Sequence, residues 1–275
     1  MNLKTATPRP GRRLGWSDHE LATLPYARFW NPAMAPLPSD VLQAVANSPV
    51  AQPLLPPMTA AVAVGLEHAE IESGWTLTSD GAAHVNLLTH LPGVSPAMVD
   101  WWFGWHSDSP ERYKLWHPRA HVHAKWLSVP PVGSTGRDRY VGSTSVVDEY
   151  LGSALGRFAI AFRPPEELGL HDPRVTTGVE ATAICARVGL GDLPVEAGWL
   201  LHLVTAVEGG SVMRSRFWIG LPYTRARSAA LRAALPLARP LIRPTAAEAQ
   251  ALLVHCAQEM NHLATFLPEL HAQEA

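Results

Sequence analysis

The chain has 275 residues, 47% apolar and 17% charged, with a formal net charge of −2. That composition excludes a disordered chain, and the near-neutral charge argues for neither a nucleic acid nor an anionic membrane as partner. The length allows one large domain, or a main domain with a small partner. Cys185 and Cys256 are the only cysteines and belong to no CxxC pair, which excludes a cysteine-rich zinc site. The opening stretch MNLKTATPRPGRRLGW lacks the apolar core of a signal peptide. No apolar run reaches the ~18–20 residues of a membrane helix, so a cytoplasmic protein is the expectation.

In chain order, the first elements are irregular. Many of the 25 prolines fall in NPAMAPLP and AQPLLPPM, which predict extended backbone. Between them SDVLQAVANS predicts a short helix capped by Ser39 or Asp40. Residues 1–75 thus read as an irregular, partly helical N-terminal region, and 76–275 as the main domain. WTLTSDGAAHVNLLTHL predicts two strands around a Ser-Asp-Gly turn. Ser95-Pro96 and Ser109-Pro110 are start signals for two short helices, the first with Met98, Trp101, Trp102 and Trp105 at helical spacing.

From about residue 140, apolar and β-branched runs alternate with Gly, Pro and Asp turns, and EGG at 208–210 marks a direct hairpin. RARSAALRAALPLARPL reads as an Ala-rich helix broken by prolines. A long helix then runs from about Thr245 to about Phe266, with Leu252, Leu253, Cys256, Met260 and Leu263 on its apolar face and Pro268 beyond its end. The expected fold class is α+β: a curved antiparallel sheet gripping a long C-terminal helix, with a cavity between them.

Two segments carry the chemistry. YKLWHPRAHVHA at 113–124 crowds together His117, His121 and His123. Pro118 rules out a continuous helix there, and in an extended segment His121 and His123 share a face. In HCAQEMNHL, His255 and Glu259 stand four apart on a helix with His262 three further on, so all three project one way. Imidazole and carboxylate together suit a cation such as zinc. Such His/Glu pairs are also common as solvated neighbours. Glu149, inside the apolar run SVVDEYLG, calls for a partner, and Asp148 and Glu180 compete with it.

MVDWWFGWHSDSPERYKLWHPRAH, followed far downstream by HCAQEMNHLATFLP, resembles the 2,4-diacetylphloroglucinol hydrolase and phloretin hydrolase family over roughly residues 60–268. The resemblance implies a Bet v 1-like domain, a smaller N-terminal region used in dimerisation, and zinc-dependent cleavage of the bond between an acyl group and a phenolic ring. It implies one Zn2+ per chain held by His121, Glu149, His255 and Glu259. It also implies that Tyr113 meets the substrate and that His202 is a pocket histidine. The partners implied are a small phenolic ketone and a second copy of the chain. Two positions depart: Ala124 stands where the family's diacetylphloroglucinol enzyme has a substrate-contacting asparagine, and Phe217 where it has a second pocket tyrosine.

A different class of function competes with this one. A helix-grip domain can bind a hydrophobic aromatic ligand without chemistry, and such a carrier has little use for buried charge. A structural zinc is a third reading, but it normally takes four Cys or His ligands and leaves no open position.

Overall fold

The computed structural model describes residues 12–51, 54, 59–61, 71–134, 136–191, 193–226, 228–229, 231–233, 235 and 242–275, with main chain only at 175–176. Among them, nine strands form one antiparallel sheet: β1 (Gly74–Leu77), β2 (Ala82–Pro92), β3 (His121–Ser128), β4 (Thr144–Leu151), β5 (Ala154–Arg163), β6 (Ala181–Leu190), β7 (Val195–Val207), β8 (Gly210–Gly220) and β9 (Arg225–Ala226). The order across the sheet is β1-β2-β8-β7-β6-β5-β4-β3, with β9 also on β7. Consecutive strands from β3 to β8 are neighbours in the sheet. The β7–β8 hairpin closes where Val207 pairs with Gly210, and its turn uses Gly209 at φ 78°, a left-handed conformation that glycine reaches freely.

Two helices, α3 (Pro96–His106) and α4 (Pro110–Trp116), link β2 to β3. Each starts as its Ser-Pro dipeptide predicts: the Ser95 and Ser109 hydroxyls accept from the amides of Met98 and Arg112. The long helix α6 (Ala246–Ala264) starts at Thr245, whose hydroxyl accepts from the Glu248 amide while the Glu248 carboxylate returns to the Thr245 amide. This helix packs on the inner sheet face through Leu253, Cys256, Met260 and Leu263, all fully buried. The resulting helix-grip α+β architecture is the one expected.

Both faces of the sheet are covered. On β7, Leu200, His202 and Val204 face the inner core, while Trp199, Leu201 and Leu203 join a second buried cluster with Leu168 and Leu170. That double burial is why GWLLHLV reads as a continuous apolar run rather than an alternating one.

The N-terminal layer contains α1 (Asp18–Thr23) and α2 (Ser39–Ala46). Its Trp16, Tyr26, Phe29 and Val41 are buried in the same cluster as α3 and α6. Trp16 stacks on Trp30 at 4.6 Å, and Tyr26 meets Trp105 edge-on at 5.2 Å. The Lys114 ammonium on α4 donates to the Gly15 carbonyl at 3.0 Å, so this layer steadies α4.

One local expectation is corrected. Ser39 and Asp40 do not cap α2: Ser39 is its first residue, and Pro38 precedes it with no side-chain cap bond. Pro268 lies just past the end of α6, as expected, in the first turn of a new helix, α7 (Leu267–Glu274), where proline fits. The C-terminal end of α6 is itself at Ala264. The Ala-rich stretch 225–241 falls largely outside the described residues. A fifth helix, α5 (Pro173–Thr177), precedes β6.

The packing of α6 is testable. Leu253→Ala should destabilise the protein by about 2–5 kcal/mol in urea denaturation. Leu127→Ala, at an exposed position, should change stability by less than about 0.5 kcal/mol.

Candidate metal centre

Three elements converge at one end of the inner core. In the β3–β4 ladder His121 pairs directly with Glu149. Across from them, α6 presents His255 and Glu259 from successive turns. The ligand atoms of His121, His255 and Glu259 lie within 4.8 Å of one another, and all three side chains are buried. His121 Nε2 is 3.3 Å from His255 Nε2 and 3.4 Å from Glu259 Oε2. His255 Nε2 is 3.6 Å from Glu259 Oε2. Glu149 Oε2 stands 3.6 Å from His121 Nε2 and 3.8 Å from His255 Nε2.

These separations can be compared with what a cation needs. Nitrogen and oxygen ligands about 2.0–2.2 Å from one tetrahedral zinc stand roughly 3.3–3.6 Å apart. The five distances fall in or just beyond that range. The tautomers agree as well. His121 Nδ1 donates to the Tyr113 carbonyl at 2.8 Å, which leaves the Nε2 lone pair pointing into the cluster. His255 is held by a hydrogen bond to the Tyr150 main chain. The donor set therefore fits a divalent cation.

The electrostatics follow from burial. Loss of solvent pushes the Glu259 carboxyl up to about 7, against the opposing pull of His255. Burial, then the neighbouring His255 and His117 rings, hold His121 well below the ordinary histidine value. Burial also opposes charge on His255, but the hydrogen bond to Glu259 and the charges of Glu149 and Glu259 outweigh it and raise its pKa.

Tyr113 lies flat on His121, ring centroids 3.7 Å apart and planes 3° from parallel, and its hydroxyl donates to Glu149 Oε2. Burial and then the Glu149 charge push its pKa well above the ordinary tyrosine value, so the phenol keeps its proton. His202 stands apart from the cluster, on β7. Its Nδ1 is 2.8 Å from Ser215 Oγ, and burial pushes its pKa down to about 3. Tyr113, His202, Glu149, His255 and Glu259 all line one cavity of about 150 Å³. A dry cavity near that size holds a benzene ring. Its wall is mostly apolar, with Phe103, Phe158, Phe162, Leu200 and Phe217.

Other sequence candidates go elsewhere. His121 and His123 do not share a face: a bulge at Val122 breaks the alternation, and His123 pairs with Asp148 instead. Asp148 is turned away from the cluster to ion pairs with Arg12 and Arg157, the latter at 2.8 Å. Glu180 is exposed at the start of β6. His262 is not solvent-facing; it is buried, and its Nδ1 accepts from the Ala35 amide at 3.2 Å. His117 stacks on His255 at 4.8 Å. Phe217 lines the cavity, whereas Ala124 is buried in the core behind it. His106, not singled out from the sequence, is a further polar residue of the cavity. Its signal was its place four residues after Trp102 on the same helical face.

A helix-grip protein with a buried imidazole–carboxylate centre at the end of an aromatic cavity is the class that this fold and site define. The chain belongs to the DAPG hydrolase family, whose PhiG domain matches residues 61–272. It is 31% identical over 261 residues to a 2,4-diacetylphloroglucinol hydrolase of Pseudomonas protegens, covering 90% of this chain and 84% of that protein. A second such hydrolase, from another Pseudomonas, is also 31% identical and is covered over 88% of its length. Phloretin hydrolase of Eubacterium ramulus is 27% identical over 271 residues, 96% of this chain and 95% of the relative.

The two adjacent acids separate by substitution. Asp148→Asn should lower stability by about 3 kcal/mol through the broken buried ion pairs while divalent-metal binding persists. Glu149→Gln should weaken metal binding by about tenfold or more, read by zinc titration against a chromogenic chelator.

Proposed function

We propose that this protein is a zinc-dependent hydrolase that cuts the carbon–carbon bond between an acyl group and a phenolic, phloroglucinol-type ring. One observation carries the reading: in a member of this family, His121, His255 and Glu259 converge at the buried end of a ring-sized cavity, with Glu149 beside them. We assign these four residues to one zinc ion per chain, and Tyr113 and His202 to the substrate.

The net reaction adds water across the bond. The hydroxyl goes to the acyl carbon, giving a carboxylic acid, and a proton goes to the ring carbon, giving the free phenol. A ring carbanion is a poor leaving group. A ring carbon protonated beforehand makes a β-diketone-like tautomer, from which the ring departs as a stabilised enolate. Bound zinc supplies a Lewis acid that polarises oxygen and lets water ionise near neutral pH.

The chain's own residues do the rest. The aromatic wall holds the ring and excludes water, which strengthens every charge interaction within. Tyr113 holds a proton at its hydroxyl oxygen, fixed by Glu149 and by the stacked His121 ring. His202 is neutral and anchored through Nδ1 to Ser215, so its other nitrogen is free to meet a phenolic hydroxyl. Two imidazoles and two carboxylates make the loaded site roughly neutral, a softer Lewis acid than three imidazoles. An apolar wall alone would equally suit a carrier, but the buried carboxylates favour the enzyme. The family resemblance further implies a homodimer. Among the described residues no helix is long and apolar enough to cross a membrane.

Metal analysis of the purified wild type beside His255→Ala tests the reading. The expected result is about one zinc per wild-type chain and none in the variant, with acylphloroglucinol cleavage lost together with the metal. Zinc at 100 times its dissociation constant should stabilise the wild type by about 2.7 kcal/mol. A metal-free wild type, expressed with zinc and never exposed to chelator, would sink the proposal. A separate check concerns the proton-holding groups: if Tyr113→Phe and His202→Ala both left kcat/KM intact, their assignment would be wrong.

A further inference from the structure

A third imidazole faces the cavity from α3. His106 is 4% exposed, and its Nδ1 lies 2.7 Å from the Trp102 carbonyl oxygen one helical turn back. A carbonyl oxygen only accepts, so Nδ1 carries the hydrogen and Nε2 keeps its lone pair. Among the described residues no side chain or amide donates to that nitrogen. The ring cannot easily turn to find a partner. Trp102 stacks on it at 4.9 Å and 21°, Tyr113 at 6.0 Å and 16°, and Trp116 meets it edge-on at 4.8 Å. Burial pushes its pKa down to about 3, so the imidazole is neutral in ordinary buffers.

A rigid, neutral acceptor in a mostly apolar wall asks for a donor from whatever fills the cavity. Its position says which donor. His106, Tyr113 and His121 form one run of nearly parallel rings, with the Tyr113–His121 step only 3.7 Å. His106 is therefore two ring steps from the imidazole–carboxylate cluster. A group meeting it belongs to the side of the substrate ring away from the acyl carbon.

We propose that His106 Nε2 accepts a hydrogen bond from a ring hydroxyl remote from the scissile bond, and so selects substrates that carry one. This rests on the hydrolase reading above and adds a determinant of which phenols are taken. His202 enters the cavity from β7, with the Phe103 ring between the two histidines, 5.9 Å from His202 and 5.4 Å from His106.

The test compares 2,4,6-trihydroxyacetophenone with 2,6-dihydroxyacetophenone, which lacks only the hydroxyl para to the acyl group. The zinc-loaded wild type should prefer the first by about 100-fold or more in kcat/KM, because loss of the donor strands a buried acceptor. His106→Asn keeps a side-chain amide for the Trp102 carbonyl but has no atom at the Nε2 position; it should cut the preference to about threefold or less, mainly through KM. His106→Phe, which keeps the stacking, should do the same. His106→Gln, which restores an acceptor near the Nε2 position, should recover part of the preference. Near-UV circular dichroism establishes that each variant is folded, and the Asn and Phe variants decide independently. Undiminished preference in a folded Asn or Phe variant would overturn the inference and leave the hydrolase reading standing. If the wild type neither binds these compounds, by tryptophan fluorescence, nor cleaves any acylphloroglucinol, the hydrolase reading fails and this inference with it.

Discussion

Two imidazole nitrogens 3.3 Å apart, facing the same point as two carboxylates, form the constraint on which the rest of the structure depends. Each donor arrives on a different piece of backbone, so the pieces have to be held in phase. The β3–β4 ladder pairs His121 with Glu149, and the Tyr113 carbonyl fixes the His121 ring. The rotation of α6 about its axis decides whether His255 and Glu259 look into the cluster. A one-residue slip would swing both by about 100°. The Thr245–Glu248 capping box at one end of α6 sets that rotation, as do Leu253 and Met260 in its buried middle. Near its far end the bonds of His262 to Ala35 and of Asn261 to Pro36 complete the restraint. The N-terminal layer thus takes part in the site without touching it.

The second consequence of burying such a cluster is electrical. No Lys or Arg lines the cavity among the described residues, so charge inside is balanced mainly by the donors themselves and by what they bind. Neighbouring groups respond by remaining neutral: Tyr113 keeps its proton, and His106 and His202 shed theirs. A neutral, mostly aromatic chamber with charge confined to one end suits a flat phenol whose reactive bond has to meet that end. In such a chamber a ring would be held by apolar contact and by a few oriented polar atoms, with only its acyl group exposed to strong fields.

Much of this was legible in the residues because local rules and the fold agree. Ser95-Pro96, Ser109-Pro110 and Thr245 with Glu248 open helices where such pairs usually do. The strands from β4 to β8 follow their apolar runs and turns. His255 and Glu259 were visible as a helical pair from spacing alone. The misses lie where tertiary contacts override local pattern. His121 and His123 look alike in an extended chain until the bulge at Val122 turns them apart. Glu149 and Asp148 are told apart only by the face that each presents, and the face depends on ladder register, which no single strand encodes. His262 shares a helical side with His255, yet the Ala35 amide claims it. His106 was hidden because an imidazole among tryptophans reads as one more core ring. Ser39 failed as a cap because Pro38 already holds the extended conformation that the helix needs before it.

The bulge at Val122 has an implication for how this chain tolerates change in length. In a regular strand a single inserted or deleted codon inverts every later side chain, which here would turn Ala124 and Trp126 from the core to the outside. The extra residue at 122 already sits outside the ladder, with His121 and His123 keeping adjacent partners Glu149 and Asp148 on either side of it. Loss of that one codon would leave His121 opposite Glu149 and the rest of β3 in its present phase. Position 122 is therefore a point in β3 where loss of a residue is absorbed, and His121 is insulated from the slippage that its strand would otherwise pass on.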